Sequence, residues 1–157
     1  MLCSLYLLNN ETFSAIKLER GNMSQLVVSG FKTELICMGS KLRFGSESPI
    51  GRYDALFEDD GSTGYLYLMD SEKEGNPIIT AFGIYQSDYP DDEHVTASIL
   101  WGEDATKVAL LINGVAQAYF DFSVYRGTCK TEYCPVKTNI DFYSWDEQFM
   151  EHFLECS

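Results

Sequence analysis

The sequence is poor in most of what would announce a function. It has two histidines, four prolines, and eleven basic residues against twenty-four acidic ones, for a formal charge of −13. No run reaches the roughly eighteen apolar residues of a membrane-spanning helix. The opening MLCSLYLLNN has a short apolar stretch, but no basic segment precedes it and no small-residue cleavage site follows, which makes it a poor signal peptide. Five cysteines, an odd number without tight framework spacing, point to reduced thiols and so to a cytoplasmic protein. The scarcity of cations matters most. A surface this acidic repels phosphate, which excludes nucleic acid and anionic membranes as expected partners, whereas a basic protein, a polycation or a metal ion would be attracted. Charge of this kind also serves plain solubility.

Signatures of catalysis are missing too. There is no hydrolase elbow, P-loop or dinucleotide fingerprint, and GSTG at 61–64 lacks the lysine and following helix that phosphate binding needs. His94 sits in a loop and His152 near the end, both poor places for a Ser-His or Cys-His couple. Catalysis is therefore not expected, carboxylate-only chemistry excepted, and no cofactor is implied.

What is present is a β pattern. Hydrophobic residues make up 45% of the chain and aromatics 14%, with ten Tyr and ten Phe, side chains that suit a pleated, half-buried surface. A chain of 157 residues fits one domain and buries about 70% of its unfolded surface without needing a disulfide or metal. Residues 1–22 read differently from the rest: an N-terminal extension that is an added edge strand, a helix or an artefact of start-codon choice. A single globular β domain is expected over 23–157.

Strands are expected at 31–38, 42–44, 52–58, 65–70, 77–85, 94–101, 107–112 and 115–122, separated by turn residues. Asp60-Gly61 and Gly64 are expected to supply the positive φ angles of one hairpin turn. In 94–101, Val95, Ala97, Ile99 and Trp101 alternate with Thr96, Ser98 and Leu100. Asn113-Gly114 predicts a two-residue type I′ turn, which would pair Ile112 with Val115, Leu110 with Gln117 and Val108 with Tyr119. Both faces of that hairpin are largely apolar, so it should be central and covered on both sides. Ser144 and Glu147 form a capping box, and Trp145, Phe149 and Phe153 recur at helical spacing, predicting an amphipathic helix from about 145 to 155. The expected fold is mainly β: an antiparallel sandwich or curled sheet of about seven to eight strands with one C-terminal helix.

Two stretches also carry a resemblance. The first half holds Phe57, Glu58, Asp59, Asp60, Gly61, Thr63, Gly64, Tyr65 and Tyr67; the second holds Trp101, Asp104, Leu110, Ile112, Asn113, Ala118, Phe120, Asp121 and Phe122. Over roughly residues 31–125 the chain resembles a bacterial domain-of-unknown-function family, number twenty-two fifty-one. Members of that family often have His where this chain has Gln117, which weakens a histidine-based site here. The resemblance implies the fold and no activity.

Four groups of residues are candidates for a site. Gln117, Tyr119 and Asp121 project from one expected strand face, and with Trp101 and Asp104 would line a polar pocket; partial exposure at the strand end or a loop-bonded Asp121 is the better account. Cys129, Cys134, His152 and Cys156 form two ligand pairs that would close a tetrahedral zinc site, although the first pair is wider than usual. Unconnected thiols and no structural zinc are the expected reading; zinc, or a Cys129–Cys134 disulfide in an oxidising compartment, is the alternative. Residues 58–61 and 91–94 cluster hard oxygen ligands without the alternating spacing of a calcium loop, so solvated turns are the better account. Finally, Asp91, Asp92 and Glu93 crowd one loop beside Tyr89, a charged rim next to an aromatic anchor. With Tyr65, Tyr67 and Tyr85, expected as further exposed aromatics, they favour a non-catalytic, acidic protein-binding module, immunity- or adaptor-like, for a basic partner. The alternative is a small-molecule or metal-binding β domain with a pocket near Trp101, Gln117 and Asp121.

Overall fold

A computed structural model of the chain describes residues 3–8, 12–19, 22–86, 94–136 and 139–146, with side chains from residue 29 onward. Twelve strands lie among them: β1 (Cys3–Leu8), β2 (Thr12–Glu19), β3 (Asn22–Cys37), β4 (Leu42–Glu47), β5 (Tyr53–Asp59), β6 (Thr63–Asp70), β7 (Ile78–Gln86), β8 (His94–Gly102), β9 (Lys107–Ile112), β10 (Val115–Asp121), β11 (Arg126–Cys129) and β12 (Asp141–Phe142). The eight expected strands are all there. The additional ones are β11, β12 and the hairpin β1–β2, which extends the sheet from β3. β3 runs unbroken across the boundary expected between residues 22 and 23.

The strands form two sheets, one of eight in the order β1-β2-β3-β8-β9-β10-β11-β12 and one of four in the order β4-β5-β6-β7. The chain leaves the large sheet after β3, builds the small sheet as a meander, and returns as β8 beside β3. All pairs are antiparallel except β11–β12. Inner faces of the two sheets meet in one core. Phe44, Tyr53, Ala55, Phe57, Leu66, Leu68 and Phe82 come from the small sheet; Val95, Ala97, Ile99, Trp101, Val108, Leu110 and Phe120 come from the large one. Tyr53 stacks on Phe122 at 4.2 Å between ring centroids, and Trp101 donates its indole N–H to Ser46 Oγ at 3.0 Å. Each large side chain buried this way contributes about 1.5–3 kcal/mol, which is why alternation dictates the fold.

The Asn113-Gly114 turn takes φ of 49° and 75°, as a type I′ turn requires, and Leu110 and Phe120 are fully buried. Its register departs from expectation after two pairs. Ile112 faces Val115 and Leu111 faces Ala116, but Leu110 then faces Ala118, Ala109 faces Tyr119 and Val108 faces Phe120. Gln117 is left over as a β-bulge; its side-chain amide donates to the Val115 carbonyl at 3.1 Å, and its own carbonyl accepts from Lys130 N at 2.8 Å. The physical reason is burial: the slip turns Ala118, Phe120 and Phe122 into the core and relieves it of Gln117, Tyr119 and Asp121. On the opposite face Leu100, Ala109, Leu111 and Tyr119 are buried as well, so the hairpin is covered on both sides.

The β5–β6 turn also differs in detail. Only Gly61 has positive φ there, at 104°; Gly64 is extended, and glycine fits because a Cβ would stand 2.7 Å from the Tyr85 ring. No helix occurs among the described residues. Of the expected helix, Trp145 and Asp146 are described and are not helical, and the remainder lies outside the described residues.

Candidate functional site

The bulge at Gln117 disperses the first candidate group. Trp101 sits in the inter-sheet core, stacked on Phe122 at 5.9 Å. Asp121, paired with Lys107 and Arg126 across the neighbouring strands, is on the outer face with Tyr119. Trp101 and Asp121 thus lie on opposite faces of one sheet. Asp121 accepts from Ser123 N at 2.9 Å, capping the turn after β10. Asp104 accepts from Thr106 N at 3.1 Å and pairs with Lys107, which together hold its carboxyl below the ordinary range against the effect of partial burial. Burial pushes the Tyr119 phenol up, followed by nearby Asp121.

The cysteine candidates are placed only in part. Cys129 is buried on the inner side of β11, its thiol 3.4 Å from the Tyr133 carbonyl oxygen, and burial pushes it up, away from reactivity. The Cys134 thiol lies 3.4 Å from Thr80 Oγ1 and 3.2 Å from the Val136 carbonyl oxygen. Both are free thiols. His152 and Cys156 lie outside the described residues, as do Tyr89, Asp91, Asp92 and Glu93.

The acidic 58–61 turn is described in full, and its carboxylates are engaged with the protein. Asp59 accepts from Gly39 N at 2.6 Å, Gly61 N at 2.8 Å and the Tyr85 hydroxyl at 2.5 Å, so Tyr85 points inward and is not an exposed aromatic. Asp60 accepts from Ser62 N at 2.9 Å and Thr63 N at 2.8 Å, which holds its carboxyl below the ordinary range. Among the described residues no three His, Cys, Asp or Glu side chains are grouped to hold a metal ion.

The outer face of the small sheet is one surface open to a partner, while the more exposed apolar side chains, Leu35, Ile50, Val115, Val124 and Tyr133, lie elsewhere. Alternation puts Arg43, Gly45 and Glu47 of β4, Asp54, Leu56 and Glu58 of β5, and Tyr65, Tyr67 and Met69 of β6 on this side, half-buried or exposed. The register arranges them in rows. Arg43, Glu58 and Tyr65 form one, Gly45, Leu56 and Tyr67 the next, and Glu47, Asp54 and Met69 the third. Tyr65 and Tyr67 are tilted neighbours at 6.1 Å between centroids. Glu58 has an ion pair, to Arg43 at 3.7 Å. Glu47 and Asp54 stand directly opposite one another and, among the described residues, form no ion pair. Partial burial, then the facing Glu47, pushes the Asp54 carboxyl up; partial burial, then Glu58, pushes the Tyr67 phenol up. The two tyrosines stood out in the sequence. Glu47, Asp54, Leu56 and Met69 did not, although the period-two pattern of residues 53–59 is the signal that sorts them outward.

Fold and face together define a two-sheet β protein with an open, aromatic and acid-flanked sheet surface. The family described as an uncharacterised protein conserved in bacteria, DUF2251, matches residues 36–154, and the chain belongs to it. An uncharacterised protein of Haemophilus influenzae is 33% identical over 99 residues, spanning 61% of this chain and 62% of that protein. No solved structure matches the chain.

Proposed function

We propose that the chain is a non-catalytic protein-binding module whose partner is basic. One observation carries the reading. On the outer face of the small sheet, Leu56, Tyr65, Tyr67 and Met69 offer apolar and aromatic surface beside carboxylates that lack cations of their own. Aromatic surface sets how slowly a partner leaves, while opposed potential sets how fast it arrives. By sequence alone, Tyr89 with Asp91, Asp92 and Glu93 adds a second aromatic beside an acidic run. Against catalysis stands the use of the other polar groups: Asp59, Asp60, Asp104 and Asp121 all accept bonds from their own turns or loops.

The reading is tested by tagging the chain in its own host and characterising what binds. A basic protein should be recovered, its association slowing as salt rises past the screening length of about 8 Å at physiological strength. Neutralising Asp91, Asp92 and Glu93 together should slow association more than it speeds dissociation, and Tyr65→Ala with Tyr67→Ala should mainly speed dissociation. A partner that is not basic, or one whose binding ignores salt, would remove the charge argument altogether.

A further inference from the structure

Arginine is already handled in a repeated way within this molecule. Arg52 forms a forked pair with Asp70, Nε to Oδ1 and Nη2 to Oδ2 both at 3.0 Å, and its guanidinium lies 5.0 Å from the centroid of the Tyr53 ring. Arg126 reaches Asp141 at 3.2 Å and lies 4.8 Å over the Tyr143 ring. Each time a carboxylate and a tyrosine ring take up one planar cation, combining a charge-assisted bond with cation–π attraction. The outer face of the small sheet has the same parts without the cation: Asp54 and Glu47 opposed across β4–β5, with Tyr67 two positions along on β6 from the Met69 that Asp54 faces.

Resting on the basic-partner reading above, we propose that this row is the receptor for an arginine side chain of the partner protein, held by Asp54 and Glu47 and flanked by Tyr67 and Met69. Two opposed carboxylates of like charge destabilise a sheet pair, so an arrangement of this kind gains from a guest cation twice, by attraction and by relief of repulsion. Partial burial pushes the Asp54 carboxyl up, and the facing Glu47 adds to that push. Arginine is preferred to lysine because a planar fork serves two carboxylates and lies flat on a ring, which a point-like ammonium does not.

The experiment uses the full chain and two short extended peptides, one alternating arginine with valine and the other alternating lysine with valine. Binding is followed by backbone amide shifts at physiological salt. The arginine peptide should move signals of β4, β5 and β6 and bind about tenfold tighter than the lysine peptide, a difference near 1.4 kcal/mol. Asp54→Asn with Glu47→Gln should weaken it about tenfold or more, while Glu74→Gln with Glu103→Gln, which removes the same charge elsewhere, should change affinity less than about threefold. Equal losses in the two double variants, or shifts spread over the whole surface, overturn the arginine receptor yet leave a basic partner standing. Shifts on this face that appear on concentrating the protein alone assign it to a second copy and overturn the receptor as well. Binding of neither peptide removes both the receptor and the reading beneath it.

Discussion

The inner and outer faces of the four-stranded sheet both carry carboxylates, in opposite surroundings. Inside, Asp59 is 2% exposed and Asp70 is 1% exposed, and both are saturated with donors. Asp59 joins three elements, the β3–β4 turn through Gly39, the β5–β6 turn through Gly61, and β7 through Tyr85. Asp70 joins Arg52 to Tyr125, whose hydroxyl donates at 2.7 Å from the turn after β10, and thereby ties the two sheets at one end. Outside, Glu47 and Asp54 face each other without such donors. Burial alone does not decide what a carboxylate does to a fold; the number of donors aimed at it does. The inner pair is structural and should fail when cut, whereas the outer pair should be dispensable for folding.

The largest effect should come from Asp59→Ala. It leaves two backbone N–H groups and a partly buried phenol unpaired at once, a loss of about 3–5 kcal/mol. Urea denaturation measures it, and Tyr85→Phe, which removes one donor and leaves the carboxylate its other two, should lose about 1–2 kcal/mol. A loss under about 1 kcal/mol in the alanine variant would mean the two turns and β7 hold without their shared acceptor.

Asp70→Ala should follow at about 2–3 kcal/mol, below a fully buried pair because Arg52 is partly open to water. Its pH dependence has a definite sign. The Arg52 guanidinium, then the Tyr125 hydroxyl and Glu72 N–H, hold the Asp70 carboxyl at about 2 against the effect of burial. A depressed folded value gives stability that is present above the unfolded value of about 4 and lost as pH falls toward 2. The stability gap between the natural protein and Asp70→Ala should therefore be full at neutral pH and narrow steadily below about pH 5. A gap independent of pH would assign the loss to packing.

Much of this was legible beforehand, and the exceptions share a cause. Alternation in 94–101 put Val95, Ala97, Ile99 and Trp101 on one side, which is the side that forms the inter-sheet core, and Asn-Gly placed the turn at 113–114, because both signals are local. Locality also limited them: nothing within 107–122 says that β10 will shed Gln117, since part of the advantage comes from Phe82, which meets Phe120 from the second sheet. The polar pocket inferred from unbulged spacing brought Trp101 and Asp121 to one face for that reason. Tyr85 was misjudged as exposed because its partner Asp59 is a neighbour only after β5, β6 and β7 have paired. The outer row was missed for a related reason, as Glu47 and Asp54 become opposed only when β4 and β5 are in register.

The smallest effect is the one that separates the two faces most sharply, because its sign is reversed. Asp54 is pushed up in the folded chain, so its ionised form costs stability at neutral pH. Asp54→Asn should therefore stabilise the free protein, by about 0.2–1 kcal/mol, the range for relieving like charges across a strand pair. Glu47→Gln should gain less, because it relieves the repulsion but leaves the burial of the Asp54 carboxylate, and the double variant should gain no more than Asp54→Asn alone. The gain should vanish in acid, where Asp54 in the natural protein takes up its proton and the repulsion disappears without mutation. Urea midpoints for the four proteins at neutral and acid pH settle the matter. If both single variants lose stability, the outer carboxylates are structural after all, and the contrast between the two faces of the sheet collapses.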